Sequence, residues 1–186
     1  MQFQSIKTKR LAIREYSDEY LDQVFEYRSD PRIYESYTKK HETKEDLKEY
    51  LKKYITEFNQ EDGYTVFIIL KNDKVIGEVA ISYWDHNNEK NAIGYAVSPE
   101  YQKNGYAYEA VTAIVKYMFE TMNRNRIQAG TDYNNEASIA LLKKLGFKEE
   151  GHFRQAEYKN GEWRDSYLFA LLKEDWLKIK EVNKSI

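Results

Sequence analysis

A strand, a glycine-containing turn and a helix in immediate succession constrain this chain most. Residues 92–97, Ala-Ile-Gly-Tyr-Ala-Val, are a continuous apolar run of the kind central strands carry. Ala107, Ala110, Val111, Ile114, Val115, Met118 and Met122 then recur at helical spacing. Residues 126–131 read as the next strand. Such a β-α-β succession should be a right-handed parallel crossover, which puts a parallel pair at the centre of the fold.

Around that centre the pattern gives the order β-α-α-β-β-β-α-β-α-β-β, followed by a short helix over 174–180. The first strand covers 6–14, with Leu11 and Ile13 alternating against polar neighbours. Ser17 is placed to cap a helix whose inward face is Leu21, Val24, Phe25 and Arg28, and Pro31 ends it. Thr43, with Asp46 three residues on, opens a second helix through a capping box. Its apolar face is Leu47, Tyr50, Leu51, Tyr54 and Phe58. Strands 64–70 and 74–84 flank a two-residue turn at Asn72 and Asp73. Ser138, Leu141, Leu142 and Leu145 mark one face of a helix stopped by Gly146. Strands 147–158 and 164–172 make a hairpin around Asn160 and Gly161. With no repeat or linker in 186 residues, we expect one α+β domain over 1–186, a mixed sheet flanked by helices.

Composition removes several function classes. A net charge of -2 lacks the basic footprint of a nucleic-acid binder. The absence of Cys excludes a disulfide framework, thiolate catalysis and Cys-based metal sites, and no metal is expected. The first ten residues are polar, without an apolar signal region, and no stretch approaches the ~18 apolar residues of a membrane helix. A soluble, cytoplasmic protein with neither nucleic-acid nor membrane partner is the expectation.

The chemistry concentrates where the central strand meets its helix. Backbone N–H groups at a helix start are unpaired and carry the positive end of the helix dipole. Small residues at Gly105 and Ala107 would let an anion reach them. No Gly-Lys-Ser/Thr follows, so this is not a P-loop, and no Gly-x-Gly-x-x-Gly follows a first strand, so it is not the dinucleotide fingerprint. On spacing alone, an anion cradle and a plain strand-to-helix turn are equal alternatives.

Gln102, Lys103, Asn104, Gly105, Tyr106 and Ala107 match the [QR]-x-x-G-x-[GA] loop of GCN5-related N-acetyltransferases, the GNAT superfamily, which the chain resembles along nearly its whole length. Ile93-Gly94-Tyr95, Ser98-Pro99-Glu100-Tyr101 and Glu109-Ala110 surround the loop in the family's order. Asn135-Glu136-Ala137-Ser138 and then Leu145-Gly146-Phe147 look like its second cofactor segment. Thr8-Lys9-Arg10-Leu11, Arg14, Asp30-Pro31, Gly151, Arg154, Asn160-Gly161 and Asp165 resemble the RimJ/RimL-like branch, which contains ribosomal-protein N-terminal acetyltransferases. The resemblance implies a mostly antiparallel mixed sheet that splays open after strand 92–97, at its central parallel strands. It implies acetyl-CoA as co-substrate, its pantetheine on Tyr95, Ala96 and Val97, its pyrophosphate on the backbone of residues 102–107, and Asn135 on the pantetheine. An N-cap is the other reading of Asn135.

Without Cys, an acyl-thiol relay is impossible, so the amine should attack the thioester directly. The resemblance makes the Val97 N–H the oxyanion donor. Many relatives carry a Glu just before Ile-Gly-Tyr as base and a Tyr in the second cofactor helix as acid; here those places hold Ala92 and Leu142. Glu78 shares a strand face with Ile76, Ala80 and Ser82 and is a candidate carboxylate or water relay; the alternative is an outward-facing polar residue. His86 and His152 are further candidates, expected in or near exposed loops. Ser138 points inward with its helix face and matches a Ser of the RimJ/RimL-like branch, which puts it near the CoA sulfur; hydrogen bonding one turn back is the other reading. Tyr34, Tyr37, Trp84, Tyr158 and Trp163 are candidate walls for an amine acceptor, either a small molecule or a protein N-terminus, against ordinary packing for each. Homodimers are frequent in the family, so a homodimer is also an expectation. The vacant base and acid positions leave a rival reading, a CoA-binding sensor without catalysis.

Overall fold

The computed structural model describes residues 3, 5–34, 41–55, 60–159 and 161–184. They group into two compact units, Met1–Trp84 with Gly94–Ile114 and Asp85–Ile93 with Val115–Ile186. Strand pairing is mixed and mostly antiparallel, with one parallel pair among the described residues, and helices complete an α+β fold.

The first unit orders its strands β1 (Ile6–Lys7), β2 (Ala12–Glu15), β3 (Tyr64–Lys71) and β4 (Lys74–Asp85), each antiparallel to the next. The strand expected over 6–14 is thus two. Thr8 turns the chain, its N–H donating to the Leu11 carbonyl at 2.9 Å and its hydroxyl accepting from the Leu11 N–H at 3.0 Å. Asn72 and Asp73 both take left-handed φ, as a tight hairpin turn requires. Ser17 gives no side-chain cap; a 3-10 turn, Asp18–Tyr20, precedes α1 (Leu21–Arg28). Pro31 does end α1, but it also starts the short α2 (Pro31–Tyr34), since proline suits a first helical position. The Thr43–Asp46 capping box is present at the head of α3 (Lys44–Tyr54). That helix ends before Phe58, which lies outside the described residues. Tyr20, Val24, Tyr27, Leu47, Leu51 and Ile68 bury the helices on the sheet.

β5 (Lys90–Val97) contributes to both units. In the second unit its first residues run parallel to β6 (Arg126–Asp132), from Lys90↔Arg126 to Ala92↔Gln128. The ladder closes there, whereas β6 stays paired with β8 (Glu162–Leu172) as far as Asp132↔Ser166. β7 (Lys148–Lys159) lies outside β8. α4 (Tyr106–Glu120) leads towards β6, α5 (Glu136–Lys144) follows it, and α6 (Lys173–Lys184) follows β8. Gly146, at φ 90°, ends α5 as expected. No helix among the described residues is long and apolar enough to cross a membrane.

Candidate active site

Residues 97–109 lie in the first unit. β5 ends at Val97, and the Ser98 N–H donates to the Ile76 carbonyl of β4 at 2.8 Å. A 3-10 turn, Pro99–Tyr101, follows. The Gln102 amide reaches back to the Val97 carbonyl at 2.9 Å, and Asn104 Nδ2 donates to the Gln102 carbonyl at 2.8 Å. Lys103 and Gly105 are left-handed, with φ of 59° and 75°, and between them the chain turns into α4. The Glu109 N–H bonds the Gly105 carbonyl at 3.0 Å. The N–H groups just ahead of it belong to the first helical turn, where no intrahelical acceptor exists. Gln102, Lys103, Asn104 and Gly105 are exposed, while Tyr106 and Ala107 are half-buried. An accessible loop of this form can present its backbone N–H groups to an anion.

Two features of this region were not legible in sequence. Glu109, one turn into α4, accepts from the Thr8 hydroxyl at 2.6 Å, the Arg10 N–H at 2.8 Å and Arg10 Nε at 2.6 Å. Partial burial pushes its carboxyl up, but these bonds outweigh that and hold it below the usual range. Gly77 is the second feature. A Cβ there would run into the Ala96 carbonyl oxygen and Val97 Cα, so only glycine lets β4 approach the end of β5 this closely. Tyr95 and Ala96 are half-buried, Val97 buried.

Glu78 is buried, at 2% exposure, which overturns the outward-facing alternative. Its Oε1 accepts from Arg28 Nη2 at 2.6 Å, and its Oε2 from Arg28 Nε at 3.2 Å and from the Tyr27 hydroxyl. Burial, and then the Glu78 charge, push the nearby Tyr64 phenol well above its ordinary range. Trp84 is fully buried, as ordinary packing would have it. Tyr34 ends α2, and Tyr37 lies outside the described residues.

In the second unit, Asn135 caps α5, its Oδ1 accepting from the Ser138 N–H at 3.0 Å. Ser138 is half-buried and Leu142 fully buried. His86 sits in the β4–β5 turn against Arg124 at 3.0 Å. His152 lies on β7, within a strand and not in a loop, its Nε2 2.6 Å from Asp165 Oδ2. The Gln155 N–H and His152 hold the Asp165 carboxyl below its usual range. Tyr158 and Trp163 are exposed and pack on each other with ring centroids 5.2 Å apart. Asn160, beside them, lies outside the described residues.

The model of the acetyltransferase (GNAT) domain matches residues 10–148. The chain belongs to the GNAT acetyltransferase family. It is 35% identical over 175 residues to the uncharacterized N-acetyltransferase YnaD of Bacillus subtilis, spanning 92% of this chain and 98% of that one. The [ribosomal protein uS5]-alanine N-acetyltransferase of Escherichia coli is 38% identical over 84 residues, 45% of this chain and 43% of its own. The crystal structure of a GNAT-family acetyltransferase from Bacillus anthracis superposes with a TM-score of 0.79 at 28% identity, covering 92% of this chain and 99% of that one. The GNAT match takes in β5, the loop after it, α4 and α5, so this chain is an acetyltransferase whose loop falls inside the matched domain.

Proposed function

We propose that this chain moves the acetyl group of acetyl-CoA directly onto a primary amine, and that the amine is a protein α-amino group. The accessible loop at the head of α4, left-handed at Lys103 and Gly105, carries the proposal for the donor. Its backbone N–H groups, from Gln102 to Ala107 in sequence, would take the pyrophosphate. Backbone groups of Tyr95, Ala96 and Val97 would pair with the pantetheine. In the reaction the amine nitrogen bonds to the acetyl carbon, the carbon–sulfur bond breaks, CoA leaves as its thiol, and the surplus ammonium proton passes to solvent. The Val97 N–H would stabilise the oxyanion formed on the way. For Asn135 and Ser138, the family resemblance alone supports a cofactor role.

The acceptor class follows from how little base strength the named residues offer. Ala92 stands where many family members carry Glu, and Glu78 is bound on both oxygens. An α-amino group, with a pKa of ~7.7–8.0, loses its proton at pH 7 for roughly 1 kcal/mol, whereas Lys at ~10.4 requires about 4.6 kcal/mol. A water relay suffices for the first and not for the second. A protein acceptor is also the one for which the relative from Escherichia coli, the [ribosomal protein uS5]-alanine N-acetyltransferase, is named.

The test presents acetyl-CoA with three acceptors: a peptide with a free α-amine, the same peptide N-blocked but carrying Lys, and spermidine. Mass spectrometry locates the product. The free α-amine should be acetylated at least about tenfold faster at pH 7; faster reaction of Lys or spermidine would remove the α-amine assignment. In the same assay Ser138→Ala should lower turnover several-fold with acetyl-CoA affinity nearly unchanged, and unchanged turnover would take Ser138 out of the mechanism.

A further inference from the structure

Thr8 and Arg10 have no role in the chemistry above, although they form a recognisable segment of the sequence. In the structure both converge on the head of α4. Thr8 Oγ1, Arg10 N and Arg10 Nε all donate to the one carboxylate of Glu109. The same guanidinium donates through Nη1 to the Asn104 carbonyl at 2.9 Å and lies 4.5 Å from the ring centroid of Tyr106. One side chain therefore grips the chain on both sides of Gly105, at Asn104 before it and Glu109 after it. Its Nη2 stands 3.5 Å from where a Cβ on Gly105 would be.

That grip has a directional consequence. A trans peptide is planar, with its C=O and N–H pointing opposite ways. Holding the Asn104 oxygen on Arg10 therefore turns the Gly105 N–H away from Arg10. Lys103 and Gly105 are left-handed, and a flanking left-handed residue leaves the plane between Asn104 and Gly105 without a helical ladder to fix it. We propose that Arg10 is a positioning residue for the cofactor: through Asn104 and Glu109 it sets the orientation of the backbone donors that receive the pyrophosphate. The inference rests on the loop's assignment to acetyl-CoA.

The predicted signature is selective. Arg10→Met should weaken acetyl-CoA, read as both Kd and KM, by about tenfold, the effect expected for losing a charge-assisted bond that preorganises the site. Its kcat and acceptor KM should stay within about twofold. Arg10→Lys keeps the charge facing Glu109 but has no planar fork to reach Asn104 as well. It should recover the melting temperature and leave acetyl-CoA affinity weak. A purely structural latch would instead have both variants lose or keep stability and affinity together, and would overturn the proposal.

A second substrate separates this inference from the one beneath it. S-acetylpantetheine carries the same thioester without the pyrophosphate. Wild type should use it far less well than acetyl-CoA, and Arg10→Met should use it as well as wild type does. If wild type treats the two donors alike, the pyrophosphate assignment of the loop fails, and this proposal with it. If wild type discriminates while Arg10→Met discriminates equally, the loop assignment stands and the role of Arg10 is refuted.

Discussion

Gly77→Ala is expected to lower kcat by ~10²–10³-fold, the loss typical of a misplaced oxyanion donor. The obstacle is backbone on both sides. The added methyl would meet the Ala96 carbonyl oxygen and Val97 Cα, and neither can rotate away as a side chain would. β4 has little room to retreat, because Gly77 is paired with Ile69 of β3 on its other edge. The end of β5 has to move, and the Val97 N–H moves with it. The Ser98 bond to the Ile76 carbonyl would stretch too. Overpacking of this kind costs about 1–3 kcal/mol, so a folded variant should be recoverable at low temperature and checked by circular dichroism. Besides the Gln102 bond to Val97, the loop at the head of α4 is held through Arg10 and Glu109, so CoA binding by calorimetry should fall less than kcat. A folded Gly77→Ala enzyme with kcat within a few-fold of wild type would leave Val97 without its assigned role.

What the sequence could and could not disclose depended on how far apart the interacting residues lie. The β5–turn–α4 segment was readable because its signals are local: an apolar run, a glycine that adopts φ 75°, and apolar residues at helical spacing. The capping box at Thr43 and the paired left-handed residues Asn72 and Asp73 are local in the same way. The break in the first strand was missed because Thr8 satisfies Leu11 with its own hydroxyl, a competition that period-two alternation does not register. Pro31 signals a stop in the sequence pattern, yet its fixed φ also suits the helix it begins. The Arg10–Glu109 latch joins residues 99 apart, and Glu78 meets Arg28 across 50, so no motif could contain either pair. Glu78 was ambiguous for a further reason. β3 is buried on both faces from Thr65 to Leu70, so alternation cannot say which side of the adjoining strand faces water.

Glu78→Ala should destabilise the protein by about 3–5 kcal/mol, because removing one partner leaves the Arg28 charge buried without its counterion. For a chain of this size that corresponds to a fall in melting temperature of roughly 6–20 °C. The two side chains are 3% and 5% exposed, so water cannot readily replace the lost partner. Arg28→Leu should cost a similar amount for the converse reason. The double variant Arg28→Leu/Glu78→Leu should cost clearly less than the sum, since it removes both charges and keeps apolar volume. Glu78→Gln then separates structure from catalysis. A carboxylate whose two oxygens hold Arg28 and Tyr27 joins α1 to β4, and its loss should lower stability while leaving the shape of the kcat/KM profile against pH unchanged. A general base behaves in the opposite way: its amide variant keeps its melting temperature and loses the acidic limb of that profile. Additive single and double variants, or that second pattern, would return Glu78 to the list of bases. The expected pattern leaves the amine's own low pKa and a water relay to carry the proton, which is why the acceptor should be an α-amine.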